Sequence, residues 1–170
     1  MSLLDFAREH GAALLDPISE DAIVEFEQRS GLQLPLGLRS FYRTRGGTEE
    51  FTDTMWKIWP FNYLAPLNEY VRDEPNIECL IGHTECPPLT DYLAFCDALI
   101  LLPIYAICSN PRNENYGRLI SLSGDKEQWL AGPNTHFDDF VASLKVDWEG
   151  GLLQPTPKIA LGFSPEAIGC

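Results

Sequence analysis

Basic residues are scarce in this chain of 170 residues. Its 12 Lys and Arg stand against 25 Asp and Glu, which gives a formal net charge of −13. Phosphate backbones and anionic lipid headgroups repel such a chain, so binding to nucleic acid or to a membrane surface is disfavoured. The same charge favours a basic protein partner, because complementary charge speeds encounter. Net charge also keeps a protein soluble without any partner, so charge alone does not decide the function.

Cysteine is also scarce, and no Cys-x-x-Cys pair occurs, so we predict a reduced, intracellular chain. The first residues lack the basic start and long apolar core of a signal peptide. The longest apolar run, residues 98–108, is interrupted by Pro103 and is too short to span a bilayer. Together these features predict a cytoplasmic protein. The five cysteines are Cys79, Cys86, Cys96, Cys108 and Cys170.

Recognisable catalytic motifs are missing. There is no Gly-x-Ser-x-Gly elbow and no glycine-rich loop that would cradle a phosphate. His83 and Cys86 form the one close pair of metal-ligand type, and a single pair is a weak signal. Cys96 and Cys108 lie in apolar, strand-like segments, where a thiol is usually inert packing. We therefore predict no catalytic, cofactor or metal site, with an enzyme of unrecognised type as the alternative.

Helical patterns fill the first third of the chain. Ser19 can cap the free N–H groups of a helix that carries Phe26 on its apolar face, and Gly31 suits its left-handed end. A further helix begins at Pro35, where the missing N–H costs nothing, and the pair Gly46-Gly47 ends it. The helical segments predicted here cover residues 3–15, 19–31 and 35–46.

Strand patterns dominate the rest of the chain. The predicted strands cover residues 56–59, 92–95, 104–109, 118–123 and 128–131. An exposed hairpin loop is predicted over residues 110–115, and a closing helix over residues 135–144 with Phe137 and Phe140 facing inward. We predict an α+β fold with N-terminal helices, a central, mostly antiparallel sheet, a closing C-terminal helix and an irregular tail. One domain over residues 1–148 is expected, followed by the tail at 149–170.

One spaced set of residues carries a family resemblance. The set consists of Ile18, Ile23, Phe26-Glu27, Gly31, Leu34-Pro35, Phe41-Tyr42 and Gly46-Gly47. It resembles the opening signature of the SUKH superfamily, also known as the Smi–Knr family. Weaker similarity extends to residues 137–141, whereas Arg45 replaces a frequent Asn and residues 73–90 have no counterpart. We interpret the signature residues as core and turn positions that carry the fold, and not as a site.

The resemblance implies an α+β domain that binds proteins. Bacterial members look mainly like immunity proteins, which neutralise toxins that are often nucleases or deaminases, and fungal members resemble signalling hubs. We therefore predict an immunity protein without a cofactor, whose partner is a protein such as a basic toxin. A scaffold or regulatory domain is the alternative. A monomer is expected, with a homodimer as the alternative state, and neither nucleic acid nor membrane is expected as a partner.

An uneven charge distribution suggests where a partner binds. No Lys or Arg occurs between Asp73 and Pro111, and six acids do. We expect an acidic concave surface or sheet surface to bind the partner, with acids acting by charge complementarity and Trp59 as an exposed aromatic anchor. A solvated acidic face is the alternative interpretation. The candidate residues are Glu49, Glu50, Asp53, Trp59, Asp73, Glu74 and Glu78.

Overall fold

The structure combines helices with one antiparallel sheet, which confirms the predicted α+β class. This computed structural model describes residues 9, 11–49, 56–72, 88–98, 104–122, 137 and 140. The helices are α1 (Glu20–Ser30), α2 (Leu36–Thr44) and α3 (Leu67–Arg72). The strands are β1 (Trp56–Ile58), β2 (Ala65–Pro66), β3 (Tyr92–Ala98), β4 (Ile104–Cys108) and β5 (Leu119–Leu122). Short 3₁₀ turns cover Phe61–Tyr63 and Leu89–Asp91.

Helix α1 begins and ends where its capping residues predict. The Ser19 hydroxyl accepts a hydrogen bond from the Ala22 N–H at 3.2 Å and satisfies one free donor of the first turn. At the other end Gly31 has φ 72°, and its N–H donates to the Glu27 carbonyl at 2.9 Å. Glycine reaches this left-handed conformation without the steric cost of a Cβ atom.

Helix α2 begins one residue later than predicted. Pro35 is its N-cap, with φ −57°, and the Pro35 carbonyl accepts the Arg39 N–H at 2.9 Å. The helix ends at Thr44, where the next residue turns to extended backbone before the glycine pair. Leu38, Phe41 and Tyr42 form its buried side, which packs against α1 and the sheet.

All strand pairs of the sheet are antiparallel, in the order β1-β3-β4-β5. β1 and β2 lie end to end along the same edge of β3. Between them the Trp59 N–H donates to the Phe95 carbonyl at 2.8 Å, so the pairing continues past the end of β1. Four of the predicted strands are confirmed, and β3 extends to Ala98, beyond the predicted end at Phe95.

A β-bulge in β3 decides which side chains face the helices. The pairing register with β4 shifts between Ala94 and Cys96, so Phe95 is an extra residue. Phe95 and Cys96 therefore both join the helix-side core, and Asp97 points to the opposite face of the sheet, where it bonds to Trp59. With strict alternation Asp97 would point into the helix-side core, where burial of an unpaired carboxylate costs several kcal/mol.

Apolar clusters cover both faces of the sheet. The helix-side cluster includes Ile23, Phe26, Leu38, Phe41, Tyr42, Leu93, Phe95, Tyr105, Ile107, Leu119, Phe137 and Phe140. The opposite cluster includes Trp59, Leu67, Leu89, Tyr92, Ala94, Ile104, Ala106, Cys108 and Ile120. Every described side chain of β3 and β4 is buried. The expectation of an open sheet surface for binding is therefore wrong for these two central strands.

Several sequence predictions fall on other parts of the chain. Phe137 and Phe140 are buried as predicted and have helical backbone, and the closing helix itself stays a prediction because its other residues lie outside the described part. The predicted first helix is wrong at its C-terminal end: residues 12–15 are not helical, because their backbone pairs with the segment after α2 and Leu14 forms an antiparallel bridge with Thr48. Most of its other residues lie outside the described part, as do the strand at 128–131, the tail and the pair His83 and Cys86. The domain boundary at residue 148 stays a prediction. Within the described ranges, no helix has both the length and the apolar character needed to cross a bilayer.

Candidate interaction surface

Trp59 is buried, and the prediction of an exposed aromatic anchor is wrong. Its side chain is 7% exposed, and its indole N–H donates to Asp97 Oδ1 at 2.9 Å. The ring packs on Tyr70 of α3 with a centroid separation of 5.0 Å. Alternation along β1 does place Trp59 opposite Ile58, as expected from the sequence. The error arises because α3 and its neighbours cover that second face.

Glu49 is the one predicted acid that the structure describes, and it is exposed. Its N–H donates to the Ala13 carbonyl at 2.8 Å, which ties the segment after the glycine pair to the segment before α1. The other candidates lie outside the described residues: Glu50, Asp53, Asp73, Glu74 and Glu78. The described part of the chain contains 11 of the 25 acids and eight of the 12 basic residues. Most of the acidic excess therefore belongs to other segments.

The signature residue Glu27 joins α1 to α2. Its carboxylate accepts the Leu34 N–H at 2.9 Å and pairs with the Arg39 guanidinium at 2.5 Å. Arg39 also pairs with Glu20 in the first turn of α1. This hydrogen bond is the main reason that the pKa of Glu20 is lowered, and the bonds to Glu20 and then Glu27 raise the pKa of Arg39. One guanidinium of α2 thus contacts both the first turn and the C-terminal half of α1.

The glycine pair of the signature allows two chain segments to pass at close range. A Cβ atom on Gly46 would lie 2.5 Å from the Asp16 carbonyl oxygen, and one on Gly47 would lie 2.6 Å from the Trp59 carbonyl oxygen. The same Trp59 carbonyl accepts the hydroxyl of buried Tyr42 at 2.8 Å. Backbone packing therefore explains the pair, in agreement with its interpretation as part of the fold.

A groove runs between the C-terminal half of α1 and the loop that joins β4 to β5. We call it the α1–loop groove; it has a volume of about 580 Å³ and is open to solvent. Its lining includes Val24, Glu27, Gln28, Gln33, Pro111 and Arg112. The exposure of the 110–115 loop was predicted, but the groove was not. Its two walls are about 80 residues apart in the sequence, and no local pattern indicates that they meet.

The loop wall of the groove is held by Asp91. Its two carboxylate oxygens accept the side-chain amides of Asn110 at 2.8 Å and Asn113 at 2.7 Å. The amide orientation follows from two turns, because Asn110 Oδ1 accepts the Arg112 N–H at 3.0 Å and Asn113 Oδ1 accepts the Asn115 N–H at 2.9 Å. The carboxylate therefore faces N–H donors and not a ring of oxygens. The cluster orders the loop and is not built to bind a cation.

Metal and thiol chemistry find no support in the part of the chain that the structure describes. No group of three or more His, Cys, Asp or Glu side chains there could hold a metal ion. Cys96 and Cys108 are free thiols with fully buried side chains, as predicted. Burial raises the pKa of both, and that of Cys96 lies well above its ordinary value. A thiol of raised pKa carries little thiolate and is a poor nucleophile.

We expect neither buried cysteine to react with iodoacetamide in the native protein. Labelling at mildly alkaline pH followed by peptide mass spectrometry should leave Cys96 and Cys108 unmodified. The same treatment in denaturant should modify both thiols, which serves as the control. Modification of Cys96 in the native protein, at the rate seen after denaturation, would contradict the burial described here.

A two-helix hairpin packed on an antiparallel sheet, with the signature residues in core, cap and turn positions, defines a class of α+β domain. The chain belongs to the SMI1 / KNR4 family (SUKH-1), whose family model matches residues 17–146. The resemblance seen in the sequence is thereby confirmed. This family is typically non-enzymatic, and membership is consistent with an immunity-type domain that binds a protein partner. A comparison with curated proteins found no significant match.

Proposed function

We infer that this chain is an immunity protein that neutralises a protein toxin by binding it. The observation that carries this proposal is the family match over residues 17–146, well over half of the chain. Such a protein needs a surface that binds tightly and requires no catalytic group of its own.

Charge supports a basic partner. The net charge of −13 creates a negative field that would attract a basic toxin and speed its association. Glu49 is exposed and available for such steering. We propose that the other predicted acids act in the same way, namely Glu50, Asp53, Asp73, Glu74 and Glu78. Trp59 is left out of this set because it is buried.

The test begins with affinity capture and ends with growth. Tagged protein is used to capture a partner from cell lysate at low salt, and the partner gene is then expressed alone and together with this chain. We expect the partner to arrest growth when it is expressed alone and this chain to restore growth by forming a complex with it. A captured partner that is harmless, or one whose toxicity this chain leaves unchanged, would refute the proposed function.

Charge reversal locates the steering acids. We expect the triple variant Asp73→Lys, Glu74→Lys and Glu78→Lys to associate with the partner about tenfold more slowly and with a weaker dependence on salt. Stopped-flow or surface-binding kinetics at several salt concentrations would measure both effects. The matched control reverses three exposed acids of the first 25 residues, Glu9, Asp16 and Glu25, with the same change in net charge. Equal slowing in both triples would show that net charge acts without a defined acidic site.

A further inference from the structure

We propose that the α1–loop groove is the docking site for an extended polypeptide segment of the partner. The groove is an open channel and not an enclosed cavity, and its volume of about 580 Å³ is in the usual range of ligand sites. One wall is α1 and the residues just after it, and the other wall is the β4–β5 loop. This inference rests on the proposed function only in taking the partner to be a protein.

Both walls are fixed before any partner arrives. The loop is held by the Asp91 carboxylate through two asparagine amides. The helix wall is held by Glu27, which binds the Leu34 N–H and the Arg39 guanidinium. The walls are joined where the Gln33 N–H donates to the Ser109 carbonyl at 2.7 Å. A groove that is already ordered loses little conformational entropy on binding, which favours affinity.

The groove lining suits a peptide main chain. The exposed amides of Gln28 and Gln33 can each donate to a carbonyl and accept from an N–H, as the groups of a peptide backbone require. Val24, which is 37% exposed, and the exposed ring of Pro111 offer apolar contact to the side chains of such a segment. Peptide recognition of this kind combines main-chain hydrogen bonds with contacts to alternate side chains.

The charge of the groove disfavours ionic ligands. Arg112 is its one basic side chain and Glu27 its one acidic side chain among the lining residues. The Glu27 carboxylate is already bound to Arg39 and to a backbone N–H, so it does not draw a free cation into the groove. Phosphates are bound best by several charge-assisted hydrogen bonds, and Arg112 is the single cation that the lining offers. The groove would therefore supply shape and hydrogen-bond specificity, while acids elsewhere steer the partner.

A test that needs no toxin uses random peptides as the probe. A phage-displayed random peptide library is selected on the full chain, and enriched peptides are synthesised for binding measurements by fluorescence anisotropy. Gln28→Trp and Gln33→Trp each place an indole in the groove from a different position on its wall. The matched control is Arg29→Trp, because Arg29 is exposed on the same helix and does not line the groove. Thermal unfolding checks that the variants fold.

We expect enriched peptides to bind the wild type and Arg29→Trp with equal affinity. We expect their affinity for Gln28→Trp and for Gln33→Trp to be lower by about tenfold or more. The proposal is overturned if the library yields no enriched peptide, or if the enriched peptides bind a folded groove variant as tightly as the wild type. These outcomes are independent of toxin rescue. A chain that binds peptides in the groove but rescues no cell would refute the proposed function alone.

Discussion

Replacing Gly47 with alanine is expected to destabilise the folded chain by about 3 kcal/mol or more. Gly47 has φ 120°, a backbone conformation that L-residues rarely adopt. Its Cβ atom would also lie 2.6 Å from the Trp59 carbonyl oxygen and 2.8 Å from Pro60 Cα. Both are backbone atoms, and the Trp59 carbonyl is held in place by the Tyr42 hydroxyl. Backbone strain and steric overlap therefore act together.

Gly31→Ala is the matched control for this prediction. Gly31 also has a positive φ, 72°, but a Cβ atom there would have no neighbour within 4 Å. Only the left-handed backbone penalty of about 1 kcal/mol applies at this position. Equilibrium unfolding in urea would compare both variants with the wild type. Equal losses of unfolding free energy at the two positions would show that close approach of the backbone at Gly47 is not important.

Replacing Trp59 with phenylalanine is expected to cost about 2–4 kcal/mol of unfolding free energy. The indole N–H donates to Asp97, whose side chain is 2% exposed, and phenylalanine offers no donor. A hydrogen bond to a charged group is worth more than a neutral one, since the buried carboxylate cannot regain water. The smaller ring also loses part of its packing on Tyr70. Urea unfolding measures the loss.

A double-mutant cycle separates the hydrogen bond from the packing. In an Asp97→Asn background we expect Trp59→Phe to cost less, because a neutral amide without this donor is less costly to bury than a carboxylate. Tyr63→Leu, at a side chain that is 66% exposed, should change the unfolding free energy by less than about 0.5 kcal/mol. The hydrogen bond has no special role if the cost of Trp59→Phe is the same in both backgrounds.

Structural features that depend on interactions over a few residues could be predicted from the sequence. Ser19 caps α1 by bonding to an N–H three residues away, and Gly31 ends the same helix through its own backbone conformation. The family signature was readable for a related reason. Each of its residues satisfies a packing or backbone requirement, such as the contact of Glu27 with Leu34 and Arg39. A requirement of that kind limits which residue types can occupy the position.

The sequence predicted which face of the sheet a strand side chain points to, but not whether that face is exposed to solvent. Alternation correctly separated Trp59 from Ile58, since successive strand residues point to opposite faces. Whether a face is open or covered depends on what packs against it, and α3 with Leu89 covers the second face here. The bulge at Phe95 had no local signal either, although it decides that Asp97 meets Trp59.

The sequence by itself determined the α+β class, the ends of α1, four of the strands and the family, because each depends on local conformation or on an ordered series of residue types. Only the tertiary structure decided that Trp59 is buried and that the α1–loop groove exists. The groove needs Gln33 beside Ser109, and the buried pair needs Trp59 beside Asp97. Such contacts join residues that are distant in the chain, so their energies depend on the packed fold and leave no periodic trace in the sequence.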